Sequence, residues 1–203
     1  MQIQNHTLRP SSKLPQATIF QEQLQRILDR SAEGPNLRHL HDVVAIISNT
    51  GIRVNELCAL RWADVDVHRG MLVVNANTGF TRRVLCGPKT LQILEARRKS
   101  GSEYVLGKSP RGLVHRVSRQ LRTVCNSIGL SGVTFHVLRR KFFERLMSSG
   151  ASYESCITIG GWKSTSSAFA HIPLSPDWLL KSAALDLARV EEVCCSRHFT
   201  SRH

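Results

Sequence analysis

One change of hydrophobic period limits the fold of this chain more than any other feature. On either side of residues 65–85, apolar residues recur every three to four positions, the spacing of one helix face. Inside that block they alternate, as in a half-buried strand. Leu24, Ile27 and Leu28 predict a first helix, with Phe20 ahead of them and Thr18 as cap. Leu37, Leu40, Val43, Val44, Ile46 and Ile47 predict a second, ended by Gly51, and a short helix carrying Arg53, Glu56, Leu57 and Leu60 follows. Residues 65–74, interrupted by Arg69-Gly70, read as a hairpin, and 82–85 as a third strand. Pro88 suits the first turn of a helix ending near Arg98. Leu113, Val117, Leu121 and Val124 mark another helix, closed by Gly129. Residues 136–147 form the next, closed by Gly150, and 153–159 a short one before Gly160-Gly161. A last amphipathic helix is expected over 177–193. The expected class is mostly α with a small three-stranded antiparallel sheet (α+β).

The 203 residues suffice for one domain with a real core. Residues 1–16, with Pro10, Ser11, Ser12 and Pro15, are expected to be a linker or arm, 17–195 the domain, and 196–203 a disordered tail. A hydrophobic fraction of 41% with 21% charged residues excludes the disordered class. No run of about 18 apolar residues is present, so no membrane span is expected. The first 16 residues hold no apolar signal core, which makes the cytoplasm the expected compartment. Lys and Arg outnumber Asp and Glu by 28 to 15, a formal charge of +13, with much of the excess between positions 82 and 145. A polyanionic partner follows, because released counterions drive binding to nucleic acid. The six cysteines (58, 86, 125, 156, 194 and 195) form no CxxC pair and no His-Cys ligand spacing, so free thiols, no metal and no cofactor are expected.

Three segments carry chemistry together. The first runs Thr50-Gly51-Ile52-Arg53-Val54-Asn55-Glu56-Leu57-Cys58-Ala59-Leu60-Arg61-Trp62-Ala63-Asp64-Val65. The second is His136-Val137-Leu138-Arg139-Arg140, and the third Gly160-Gly161-Trp162-Lys163-Ser164, followed by Phe169-Ala170-His171. Singly each has a bland reading: a capping arginine, a solvated helix face, a tryptophan in the core. In this order they resemble the tyrosine recombinase (phage integrase) motifs TGxRxxELxxLxWxDxD, HxLRR and LGH or GGW, over nearly the whole chain. The resemblance implies the catalytic-domain fold of DNA breaking-and-rejoining enzymes, double-stranded DNA as partner, and site-specific recombination or integration as activity.

It also implies roles. Arg53 and Arg139 match the family's two arginines that clamp the non-bridging oxygens of the scissile phosphate through forked, charge-assisted hydrogen bonds. His136, one helical turn before Arg139, matches the histidine that supports proton transfer. Trp162 stands where relatives have His or Trp, and its indole N–H can donate to the phosphate. Glu56 is expected to support Arg53 by an ion pair, with Arg82 and His171 as further supporting residues.

Two positions depart from the pattern. Phe169 stands where the family has its nucleophilic tyrosine, and phenylalanine has no oxygen to attack phosphorus. The segment between Trp162 and Phe169 is also shorter than in relatives. In the turn Asn77-Thr78-Gly79-Phe80-Thr81-Arg82-Arg83, Thr78 occupies the place of the lysine that protonates the leaving oxygen, and an arginine such as Arg82 rarely gives up its proton. Tyr104, Tyr153, Ser164, Ser166 and Ser167 are the other hydroxyls weighed as nucleophile; none has the family's order together with an evident base. The pattern is that of a natural, degenerate recombinase. Three functions stay open: a pseudoenzyme that binds DNA, an active recombinase with an unrecognised nucleophile, and an interaction module whose C-terminal helix joins a second copy.

Overall fold

The computed structural model describes residues 21–34, 37–75, 81–98, 101–107 and 109–162. Two helices open it, α1 (Gln21–Ala32) and α2 (Arg38–Thr50). Leu24, Ile27 and Ser31 form the buried stripe of α1. In α2 every residue from Val43 to Ser48 is buried. A helix apolar around most of its circumference has to sit inside the core, and α2 does so, packed against α1 and the helices 135–148 and 88–98.

The chain leaves α2 through Gly51, at φ 64°, where its N–H donates to Ile47 O. A Cβ there would lie 2.4 Å from Phe142 Cδ1. Both the left-handed backbone and the ring exclude a side chain, so Gly51→Ala is expected to cost about 1–3 kcal/mol in a denaturant titration. An unchanged midpoint would show that the ring gives way freely.

Arg53 is the cap of α3 (Val54–Cys58), whose helix stops earlier than its apolar spacing suggested. Leu60 is drawn off instead: its carbonyl accepts from Val105 N–H (2.9 Å), and Trp62 N–H donates to Glu103 O (3.1 Å). The sheet follows in the order β1 (Val65–Asp66), β2 (Met71–Asn75), β3 (Thr81–Leu85), antiparallel throughout. The hairpin expected at Arg69-Gly70 is present, with a β1 of only two residues. A 3-10 turn, Trp62–Asp64, precedes it, and Asp66 Oδ1 starts the next turn by accepting from Arg69 N–H at 2.9 Å. In β3 the inward positions are Arg82 and Val84, the latter opposite Leu72.

Four helices complete the described part: α4 (Pro88–Arg98), α5 (Leu113–Ser127), α6 (Phe135–Ser148) and α7 (Tyr153–Gly160). Side-chain caps set the start of the last two. Thr134 accepts from Val137 N–H, and Ser152 from Ser155 N–H. The structure thus has the expected class, mostly helical with one three-stranded antiparallel sheet.

Phe135, Val137 and Leu138 of α6 belong to the main core, while Phe143 and Met147 join Cys156 of α7 in a smaller cluster that Trp162 covers. The stretch 136–140 therefore lies where the two clusters meet. Cys58, Cys86, Cys125 and Cys156 are free thiols. Burial pushes Cys58 up to about 12 and the other three up to about 11, which keeps them protonated and inert. Among the described residues no helix is long and apolar enough to cross a membrane. The expected Thr18 cap, the last helix over 177–193 and both terminal segments lie outside the described residues, as do Cys194 and Cys195.

Candidate functional site

Three arginines converge on the end of one helix. The last carbonyls of α7 and its cap face inward, at the negative end of the helix dipole. Ile159 O accepts from Arg82 Nη1 at 2.8 Å, Gly160 O from Arg139 Nη2 at 2.7 Å, and Gly161 O from Arg53 Nη2 at 3.4 Å. Arg139 Nη1 also donates to Gly51 O. That bond ties the middle of α6 to the turn that leaves α2.

A single carboxylate links two of these cations. Arg53 N–H donates to Glu56 Oε2 (2.9 Å) and its Nη1 to Oε1 (3.0 Å), while Arg82 Nη2 donates to Oε2 at 2.6 Å. The Glu56 and Arg82 side chains are 5% and 4% exposed, and that of Arg53 is 36% exposed. Arg82 and Glu56 are thus a buried pair, and Arg53 reaches from it toward solvent. Three guanidiniums against one carboxylate leave a local excess of positive charge that a bound anion would offset.

Arg139 is stacked as well as hydrogen-bonded. Its guanidinium carbon lies 5.0 Å from the Phe143 ring centre and 5.1 Å from that of Trp162, within cation–π range. The two rings themselves are 4.6 Å apart. Burial, then the charges of Arg53 and Arg82, lower the Arg139 pKa to about 9, with Glu56 opposing, so it stays charged at neutral pH. Burial lowers Arg82 from the ordinary arginine value too, followed by Arg53 and against Glu56.

Arg53, His136, Arg139, Arg140, Phe143 and Trp162 line one cleft of about 200 Å³. His136 and Arg139, three apart on α6, share its face as their spacing predicts. Partial burial and the adjacent Arg139 and Arg140 lower the His136 pKa below 6.5, so the imidazole is neutral at pH 7. Among the described residues no carboxylate lines the cleft. Of the expected site residues, Arg53, His136, Arg139 and Trp162 meet there, while Glu56 and Arg82 stand behind Arg53. Phe169, Thr78 and His171 lie outside the described residues. Tyr104 sits in a different cluster, where Arg61 Nη2 donates to its hydroxyl at 3.2 Å. Tyr153 begins α7 and is not among the residues lining the cleft.

Sequence reasoning missed the backbone half of the site, namely the carbonyls of Gly51, Ile159 and Gly160. It also missed the Arg82–Glu56 pair. A signal for the pair was present, because Arg82 shares the inward strand parity of Val84, and a charge at an inward position needs a buried partner.

Comparison with solved structures returns the same architecture. The crystal structure of XerA recombinase matches with a TM-score of 0.67 and 21% identity, over 84% of this chain and 65% of that one. The Tn1549 transposon integrase in complex with transposon right end DNA matches with a TM-score of 0.68 and 16% identity, over 90% of this chain and 69% of that one. At such identities the likeness is one of fold. The model of the phage integrase family matches residues 18–171, and the chain belongs to that family. Tyrosine recombinase XerA of Thermococcus kodakarensis is 29% identical over 179 residues, 83% of this chain and 62% of that protein. The chain therefore spans less than two thirds of the length of this relative.

Proposed function

We propose that the chain binds duplex DNA as a recombinase catalytic domain does, holding one backbone phosphate in the cleft, and that it does not cut the strand. One observation carries the first half. Three guanidiniums, an imidazole and an indole converge on a small cleft that no carboxylate among the described residues lines, which is a donor set for an oxyanion. The backbone anchors of Arg139 hold its fork in place before any ligand arrives, so little ordering is left to do on binding. That the Tn1549 integrase was solved with DNA supports the choice of partner.

The second half rests on what strand cleavage needs. A hydroxyl must attack phosphorus, and a proton must reach the leaving oxygen. Phe169 and Thr78 offer neither at the two positions that match the family's nucleophile and acid. Arg82 is not a replacement acid, since its guanidinium is buried and held by Glu56 and Ile159 O.

A nicked suicide duplex tests the reading. No covalent protein–DNA adduct is expected in a denaturing gel. An adduct would show that the chain cuts with another nucleophile. Phe169→Tyr alone is expected to leave the gel unchanged, because the proton donor is still missing; an adduct there would mean that the hydroxyl was all the site lacked.

Binding should also depend on pH. A phosphate anion beside His136 raises the pKa of its imidazole above the lowered value of the free protein. Affinity is then expected to grow as pH falls through the interval between the His136 pKa of the complex and the lower one of the free protein. His136→Gln is expected to flatten that rise in an anisotropy titration; an identical pH profile would remove His136 from the phosphate.

A further inference from the structure

The first turn of α2 has no side-chain cap. Leu37 stands at the cap position and makes no side-chain hydrogen bond to the turn, and no acidic residue lies in the turn itself. The positive end of the helix dipole is therefore not offset from within the helix. A contact from another element secures this end instead. Arg97, in the last turn of α4, donates through Nη2 to His39 Nδ1 at 3.1 Å, through Nη1 to Asp42 Oδ2 at 2.5 Å and through Nε to Val105 O at 2.8 Å. One guanidinium thus ties α2 to α4 and to the segment 103–107. Val105 N–H carries the tie on to Leu60 O, just past α3.

This joint accepts only a neutral imidazole. A guanidinium can only donate, so Nδ1 accepts and the ring proton sits on Nε2. That Nε2 is buried, and no group among the described residues accepts from it. A second ring proton would have to sit on Nδ1, where it would point at the Arg97 N–H. Neither ring nitrogen of the imidazolium would then have an acceptor. Asp42, the carboxylate felt at the ring, is already shared, Oδ2 with Arg97 and Oδ1 with His41 Nδ1 at 3.2 Å. Arg116 of α5 and Arg111 just before that helix line the same recess as His39 and add like charge. A cation at position 39 also meets the positive end of the dipole. Burial first, then Arg97, hold the His39 pKa below 6.5, with Asp42 opposing and Arg116 adding to the effect.

We propose that His39 is an acid-operated latch, whose protonation breaks the bond to Arg97 and frees the first turn of α2 from α4 and the segment 103–107. The sign follows from linkage. In the opened turn the ring takes its ordinary pKa of 6.5, above that of the closed joint. The latch is fully effective above that value. As pH falls below it, the opened form takes up the proton first, and opening grows by up to about tenfold per pH unit until the pKa of the closed joint is reached. His39 and the Gly51 anchor of the cleft lie roughly 18 Å apart along α2, by the helical rise per residue, so the latch is separate from the titration of His136.

Hydrogen exchange of the full chain without DNA tests the latch. The reporters are the amides of His41, bonded to Leu37 O at 2.9 Å, and of Val105, bonded to Leu60 O at 2.9 Å. The strand Met71–Asn75 is the reference. After correction for the intrinsic pH dependence of exchange, protection at both reporters is expected to fall severalfold, and at most about tenfold, from about pH 6.5 to about pH 5.5, while the strand holds. His39→Asn, whose amide oxygen can accept from Arg97 but does not titrate, is expected to abolish the fall. Nitrogen NMR of the imidazole in the unsubstituted chain is a second readout, with Nδ1 expected bare at neutral pH and the His39 midpoint below 6.5. Protection that holds at low pH overturns the proposal, as does an equal fall in His39→Asn. A His39 midpoint at or above the ordinary value overturns it too, and decides the matter even if the asparagine variant does not fold.

Discussion

Replacing Glu56 by alanine is expected to destabilise the protein by about 3–5 kcal/mol, because it strands a buried charge. Glu56 accepts from the Arg53 backbone, from Arg53 Nη1 and from Arg82 Nη2. Without it, Arg82 stays buried at 6% exposure, with only Ile159 O among its described partners. Arg53 and Arg139 add like charge nearby. Glu56→Gln keeps one acceptor and should lose less. Glu56→Ala combined with Arg82→Leu should recover part of the loss, since replacing both members of a buried pair by apolar groups is far cheaper than removing one. Denaturant midpoints read all three directly. If Glu56→Ala costs under about 1 kcal/mol, the pair is solvated and its burial does not govern stability.

The second large effect is on DNA affinity. Arg139→Lys keeps the charge but removes the fork that binds Gly51 O and Gly160 O on one side and presents donors to the cleft on the other. A hydrogen bond to a charged group contributes about 1.5–3 kcal/mol, so duplex affinity is expected to fall about ten- to a hundredfold. Arg53→Ala should act similarly at a position that is more exposed and safer for folding. Arg53→Ala should also flatten the dependence of log affinity on log salt by about one unit, because one phosphate contact releases about 0.9 counterion, whereas Arg139→Lys, which keeps its charge, should leave the slope nearly unchanged. Fluorescence anisotropy across a salt series measures both quantities, and circular dichroism checks that the variants fold. Affinity and slope unchanged in Arg53→Ala would place the DNA somewhere other than the cleft.

The two effects separate what the arginines do. Arg82 belongs to the frame: it pins β3 to α3 through Glu56 and to α7 through Ile159 O. Arg53 and Arg139 belong to both frame and cleft. Gly161 shows how tightly the parts are set, since a Cβ there would lie 2.2 Å from Arg82 Cδ. A substitution at Gly161 should therefore disturb the Arg82–Glu56 pair before it touches the cleft.

Much of the fold was legible because its signals are local. The alternation over residues 71–74 and the three-to-four spacing of Leu113, Val117, Leu121 and Val124 each encode one element, and both elements stand where expected. Boundaries were less legible where another segment intervened. Leu60 continues the apolar spacing of α3 yet leaves the helix, because it pairs with Val105, far along the chain.

The same division runs through the site. By itself the sequence determined the order of helices and strands, the excess of positive charge, and the motifs that set Arg53, His136, Arg139 and Trp162 apart. Those features are written in the spacing of neighbours, so they are readable without a fold. Only the tertiary structure decided that Arg82 turns inward to Glu56, that Gly51 and Gly160 hold Arg139 between them, and that Arg97 meets His39 at Nδ1. The partners in these contacts lie as far as 88 residues apart, as for Arg139 and Gly51. No local period relates them. They meet because α2 is buried along its length and α6 crosses from one core cluster to the other, which carries polar groups from distant segments into the same desolvated space, where each must find a partner.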